Sequence, residues 1–198
     1  MSGMIFIFFL WSAWIVSTFI LNKEDPARLP IAALSLLLLI FSSVSFSVKS
    51  ITVNGAAILL ITGGCMVISK WPLVKKVYFF FSALTVMVGY TGFYLLELYD
   101  PVWVLIDRRI VLSCALYIVG YLLYPASFFN RFLAIVVGSL FGEVFLGIFL
   151  SRWSMPYTVG SMEYLDILGL TTALLCGSRV LAAFRGIMKQ NTGQRMMQ

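Results

Sequence analysis

A single carboxylate stands near the middle of one of the most apolar stretches of this chain. Glu143 lies in the run Gly138-Ser-Leu-Phe-Gly142-Glu143-Val-Phe-Leu-Gly147. A charged side chain at such a position costs about 2.5 kcal/mol or more in hydrocarbon unless it meets a partner. Two chemistries follow. Glu143 is either a protonatable or cation-binding group, or a protonated or paired group that fixes packing, in which case Glu143→Gln is expected to leave stability nearly intact. The partner the sequence suggests is Arg179, in Cys176-Gly177-Ser178-Arg179. At 1.5 Å per helical residue, Glu143 lies about 18 Å from one end of its run and Arg179 about 8–9 Å from the same end of its own, near the reach of two extended side chains. Alternatively, Arg179 turns its head toward the polar boundary.

A second group gathers acids and bases. Glu97, Asp100 and Asp107 stand close in sequence to Arg108 and Arg109, a spacing that suits either a headgroup or ligand site or a mutually neutralising cluster. Asp166, near the start of the last apolar run, is expected to join that layer or to cap its own helix. In the second run Ser42, Ser43, Ser45 and Ser47 could line a polar path, or bond back to the preceding turn. No histidine occurs anywhere, which removes Ser-His-Asp and Cys-His catalysis, the HExxH zinc motif and imidazole metal sites. Neither a GxxxxGK[ST] loop nor a GxSxG turn is present. Every lysine falls outside the apolar runs, which leaves serine-lysine chemistry little support. Cys65, Cys114 and Cys176 lie in three separate runs and read as small packing residues. No cofactor is expected.

The elements that must position these residues follow from composition. Hydrophobic residues make up 61% of the 198, charged residues 11%, and the mean hydropathy is +1.00. So little polar surface cannot cover a soluble core of this size, so the bilayer is the expected solvent and principal partner. The net charge of +6 sits between apolar runs, where cations set orientation, and this counts against nucleic acid as a partner. Seven apolar segments emerge: Met4 to Leu21, Leu29 to Ser47, Ile51 to Ser69, Val77 to Leu96, Ile110 to Tyr124, Phe132 to Leu150 and Tyr164 to Phe184. The first lacks a basic leader and a small-residue cleavage site, which reads as a retained helix. Asp25-Pro26, Pro30, Lys70-Trp71-Pro72 and Pro125 punctuate the runs. Short connections make consecutive helices antiparallel neighbours. Between the fourth and fifth runs, Pro101 to Ile106 is expected to lie at the interface ahead of a short span, the alternative being one long helix with three ionisable residues inside it.

The expected fold is an all-α, polytopic transmembrane bundle of about seven spans. It forms one domain over residues 1–185, followed by a basic tail, Gly186 to Gln198, expected to be disordered. With the N-terminus outside, the inner side carries Lys23, Arg28, Lys70, Lys75, Lys76, Arg131, Arg185, Lys189 and Arg195, against Lys49, Arg108, Arg109 and Arg152 outside. That bias predicts an external N-terminus and a cytoplasmic C-terminus. Trp11, Trp71, Tyr99, Trp103, Trp153 and Tyr157 are expected at headgroup level. Gly138 and Gly142 strip one helix face of bulk and allow another backbone close, within the chain or in a dimer.

The size, the Trp11-Ser-Ala-Trp14 pair followed by Asn22 to Arg28, and the lack of extramembrane domains resemble the YphA-type small membrane proteins of endospore-forming Gram-positive bacteria. The resemblance implies location in the cell membrane and carries no catalytic motif. The expected function is a non-enzymatic structural or interaction component. The alternatives are a small transporter or channel using Glu143 and, third, an enzyme acting on lipid through the outer cluster. Protein partners and oligomeric state are not readable from the sequence.

Overall fold

Prolines and cap residues divide the apolar chain into helices. A computed structural model describes residues 2–48, 51–100 and 107–195, except the side chains of 48 and of 186–195. It contains seven α-helices among those residues: α1 (Met4–Ile15), α2 (Arg28–Ser42), α3 (Gly55–Ser69), α4 (Leu73–Tyr99), α5 (Arg108–Leu123), α6 (Phe128–Ser151) and α7 (Met162–Arg195). A π-helical turn, Val16–Ile20, extends α1. Pro72 sets the extended residue ahead of α4. The side chains of Asn54, Asp107 and Ser127 accept backbone N–H groups at the starts of α3, α5 and α6, meeting donors that a helix leaves open.

The helices α4, α6 and α7 through Arg185 are long and apolar enough to cross a membrane by length and composition. Met4–Ile20, α2 and α3 are shorter apolar helices. The outer surface they present is apolar, with Phe8, Phe19, Phe80 and Phe81 among its exposed side chains, the inverse of a water-soluble protein's surface and the arrangement a lipid solvent requires.

Beside the seven helices the fold carries one small sheet. Ser45–Val48 (β1), Ile51–Asn54 (β2) and Tyr157–Val159 (β3) form a three-stranded sheet at one end of the bundle. β1 and β2 pair antiparallel, and β2 pairs parallel with β3 across about a hundred residues of chain, Thr52 lying beside Thr158. The second and third apolar segments are therefore each a helix plus a strand. This dissolves the serine path: Ser42 lies in α2 and bonds back to Leu39, while Ser45 and Ser47 lie in β1. At the other end of the chain the backbone of 186–195 continues α7, where a disordered tail was expected. Nothing in Ile187-Met-Lys-Gln190 breaks a helix. The interfacial stretch Pro101 to Ile106, with Trp103, lies outside the described residues. Asp107 is non-helical and caps α5, so Arg108 and Arg109 open that helix.

The most extensive packing joins α4 to α6. A Cβ on Gly138 would sit 2.7 Å from Val86 Cβ, and one on Gly142 would sit 2.9 Å from the Tyr90 ring. The glycine face thus serves contact within the chain. The three cysteines are free and exposed, so they do not serve as packing residues.

Candidate functional site

Because α4 lies close on the glycine face of α6, its Tyr90 reaches the next residue of α6, Glu143. The Tyr90 hydroxyl donates to Glu143 Oε1. The same oxygen accepts from the Tyr157 hydroxyl at 2.8 Å, and Oε2 accepts from the Gly160 N–H at 3.0 Å. Glu143 is fully buried. Three donors and no acceptor face the carboxyl oxygens, an arrangement a carboxylate fills with lone pairs alone. Tyr157 stands on β3 and Gly160 in the turn after it, so the carboxylate ties α4, α6 and the sheet together.

Gly160 is required where it stands. Its φ is +70°, and an added Cβ would lie 2.5 Å from that of Ala57, so both backbone conformation and space exclude a side chain. Gly147, one turn beyond Glu143 on α6, performs a related service: a Cβ there would meet Val159 at 3.0 Å. Tyr157 is pushed above its ordinary value near 10 by burial first and by the Glu143 carboxylate second.

Above this clasp lies a layer of ion pairs. The Arg108 guanidinium stacks 4.9 Å from the Tyr94 ring centroid and donates to Glu97 at 3.2 Å and to Glu163. Arg109 donates to Asp166 at 2.8 Å. Asp166 is fully buried and also accepts the Gly3 N–H at 2.7 Å and the Phe6 N–H at 3.0 Å. It therefore caps α1, a different helix from its own, where the N–H groups and the helix dipole favour an anion.

The expected site residues thus separate. Glu143 and Asp166 both lie toward the sheet end, in neighbouring polar layers. Arg179 does not pair with Glu143, because it lies beside Phe128 at the start of α6, fifteen residues before Glu143. Its guanidinium lies 5.0 Å over the Phe128 ring, in the half of the bundle away from the sheet. Asp107 caps α5 and does not enter the ion pairs with Arg108. Tyr157 points its hydroxyl into the protein, so it is no headgroup anchor. Two of the basic residues at the opposite end are also internal: Arg28 donates to the Ser17 and Thr18 carbonyls, and buried Arg131 to those of Tyr124 and Pro125.

Tyr90, Gly160 and Glu163 were not singled out from sequence, and Tyr157 was expected only as a headgroup anchor. Tyr90 precedes Glu143 by 53 residues, and no local pattern joins them. Chemically the clasp can hold a negative charge and couple elements. No group of three or more metal-ligating side chains occurs among the described residues.

No solved structure matches this chain. It is similar to the uncharacterized protein YphA of Bacillus subtilis (strain 168), with 23% identity over 168 residues, 85% of this chain and 82% of that protein. The family model described as YphA-like integral membrane protein matches residues 2–198. With nearly the whole length matched, the chain belongs to the YphA-like integral membrane proteins.

Proposed function

We propose that the protein crosses the cell membrane seven times, N-terminus outside and C-terminus in the cytoplasm, and serves as a non-enzymatic structural or interaction component. In this reading Glu143 anchors the fold and does not carry a transported ion. The observation that supports it is that both carboxylate oxygens are engaged, by Tyr90, Tyr157 and Gly160, in a site with no exposure. A group that binds and releases a cation needs free lone pairs and a route to water. The sheet it anchors then forms a fixed external face.

The orientation rests on charge. Leaving out Arg28, Arg131, Arg108 and Arg109, whose guanidinium groups bond within the protein, seven basic residues remain on the proposed inner side and two on the outer. Single cysteines at Ser2 and Asn191, after replacement of the three native ones, test it: an impermeant reagent should label position 2 and not position 191 in intact cells. The opposite pattern overturns the orientation. Reconstituted vesicles test the role of Glu143. A pH- or cation-dependent flux that Glu143→Gln abolishes in folded protein replaces this reading with transport.

A further inference from the structure

Five helices close a ring. α1 packs on α2 and α7, α2 on α3, α3 on α6, and α6 on α7. Within the ring lies a partly open cavity of about 280 Å³, walled by side chains such as Leu10, Leu38, Phe132 and Leu168. Its hydroxyls are already engaged: Ser35 donates to the Ala32 carbonyl at 2.9 Å and Thr172 to that of Leu168 at 2.7 Å. An apolar cavity of roughly 150 Å³ stays dry and accepts a hydrocarbon guest, and this one is nearly twice that size. Toward the sheet the walls converge, because Gly169 lets the α1 backbone approach: a Cβ there would meet Phe6 Cα at 3.3 Å.

Toward the other end the cavity is bordered by Phe128, the first residue of α6. The Arg179 guanidinium lies over that ring, one turn beyond the lining residue Cys176. Stacking uses the face of the guanidinium and leaves its edge N–H donors available. Arg28 and Arg131, at the same end, direct theirs to carbonyls, whereas Arg179 is exposed and has no hydrogen-bond acceptor among the described residues. A dry hydrocarbon slot beneath an open cation is complementary to one kind of molecule abundant around a membrane protein. We propose that the cavity holds an acyl chain of an anionic phospholipid whose phosphate bonds Arg179.

The test uses purified full-length protein in detergent, with phosphatidylglycerol and phosphatidylcholine of identical chains as probes and native mass spectrometry to count bound lipid. One phosphatidylglycerol should be retained in preference to phosphatidylcholine, by about fivefold for one engaged cation. Arg179→Gln should bring that ratio near unity, while Lys76→Gln, on α4 and outside the lining of this cavity, should leave it unchanged. Ser35→Phe fills the cavity and should lose both lipids while keeping its melting transition. Should that variant fail to fold, phosphatidylglycerol with a photoreactive tail answers on the unaltered protein, with crosslinks expected in 128–136 and 168–176. Equal retention of the two lipids by the unaltered protein, undiminished retention by folded Ser35→Phe, or tail crosslinks confined to Phe80 and Phe81 would each overturn the assignment.

Discussion

Glu143→Gln is the substitution that sequence alone treats as neutral and the geometry does not. Two oxygens receive three hydrogens. A glutamine in the same pose leaves its oxygen with the two tyrosines and turns an NH2 group toward the Gly160 N–H, donor against donor. Flipped, its oxygen takes the Gly160 N–H, and the NH2 faces two phenols whose own protons then lose their acceptor. In either pose a buried donor goes unmet, and Glu143 has 0% exposure, so no water replaces the loss. One orphaned buried donor costs about 1–3 kcal/mol. Glu143→Ala strands all three donors and opens a void, for roughly 3–6 kcal/mol. Equilibrium unfolding in mixed micelles measures both, and the expected order is unaltered protein, glutamine, alanine. A glutamine variant within about 0.5 kcal/mol of the unaltered protein would show that the Gly160 N–H does not depend on this carboxylate, and the clasp argument would fail.

Asp166→Asn removes the charge that Arg109 and the start of α1 share, and should destabilise by about 3–5 kcal/mol, as for a broken buried pair; a cysteine placed at Phe6 should become reactive to a thiol reagent at the same time. Gly142→Ala presses a methyl against the Tyr90 ring and should lower stability by about 1–3 kcal/mol, while Gly63→Ala, with nothing within 4 Å of the new carbon, should stay within about 0.5 kcal/mol in the same unfolding assay. Tyr157 keeps its proton in the fold where the unfolded chain loses it near pH 10. Stability is thus full below pH 10 and falls as pH rises above it. Tyr157→Phe should flatten that alkaline fall, and an unchanged slope would place the hydroxyl in water.

Much of the helical frame is legible because long apolar runs and prolines act locally. Glu143 is legible for a related reason, as a charge where hydropathy forbids one. The sheet carried a signal too: Val44-Ser-Phe-Ser-Val48 and Ile51-Thr-Val-Asn54 alternate with period two, the strand pattern. Judged only by total hydropathy, both merge into the adjoining helices. Asn54 ahead of Gly55 marks the true start of α3, since its side chain accepts the Ala56 N–H. The partners of Glu143 and Asp166 were illegible for another reason. They are set by how helices pack, and Arg179, chosen on depth alone, lies on a helix whose face at that level turns toward Phe128.

The cap that Asp166 places on α1 has a consequence for the order of biogenesis. Gly3 and Asp166 are 163 residues apart. At about 5–20 residues per second, the first helix waits roughly 8–33 s after its own synthesis before its anion is made. Glu143 is in a similar position: Tyr90 is already present when it emerges, but Tyr157 and Gly160 follow by 14 and 17 residues. Nascent chains that stop before β3 therefore carry an uncapped first helix and an unclosed sheet. Residues 157–166 act as the closing stitch of assembly, and a chain stalled before them lacks the cap on α1, two of the three donors to Glu143 and the third strand of the sheet.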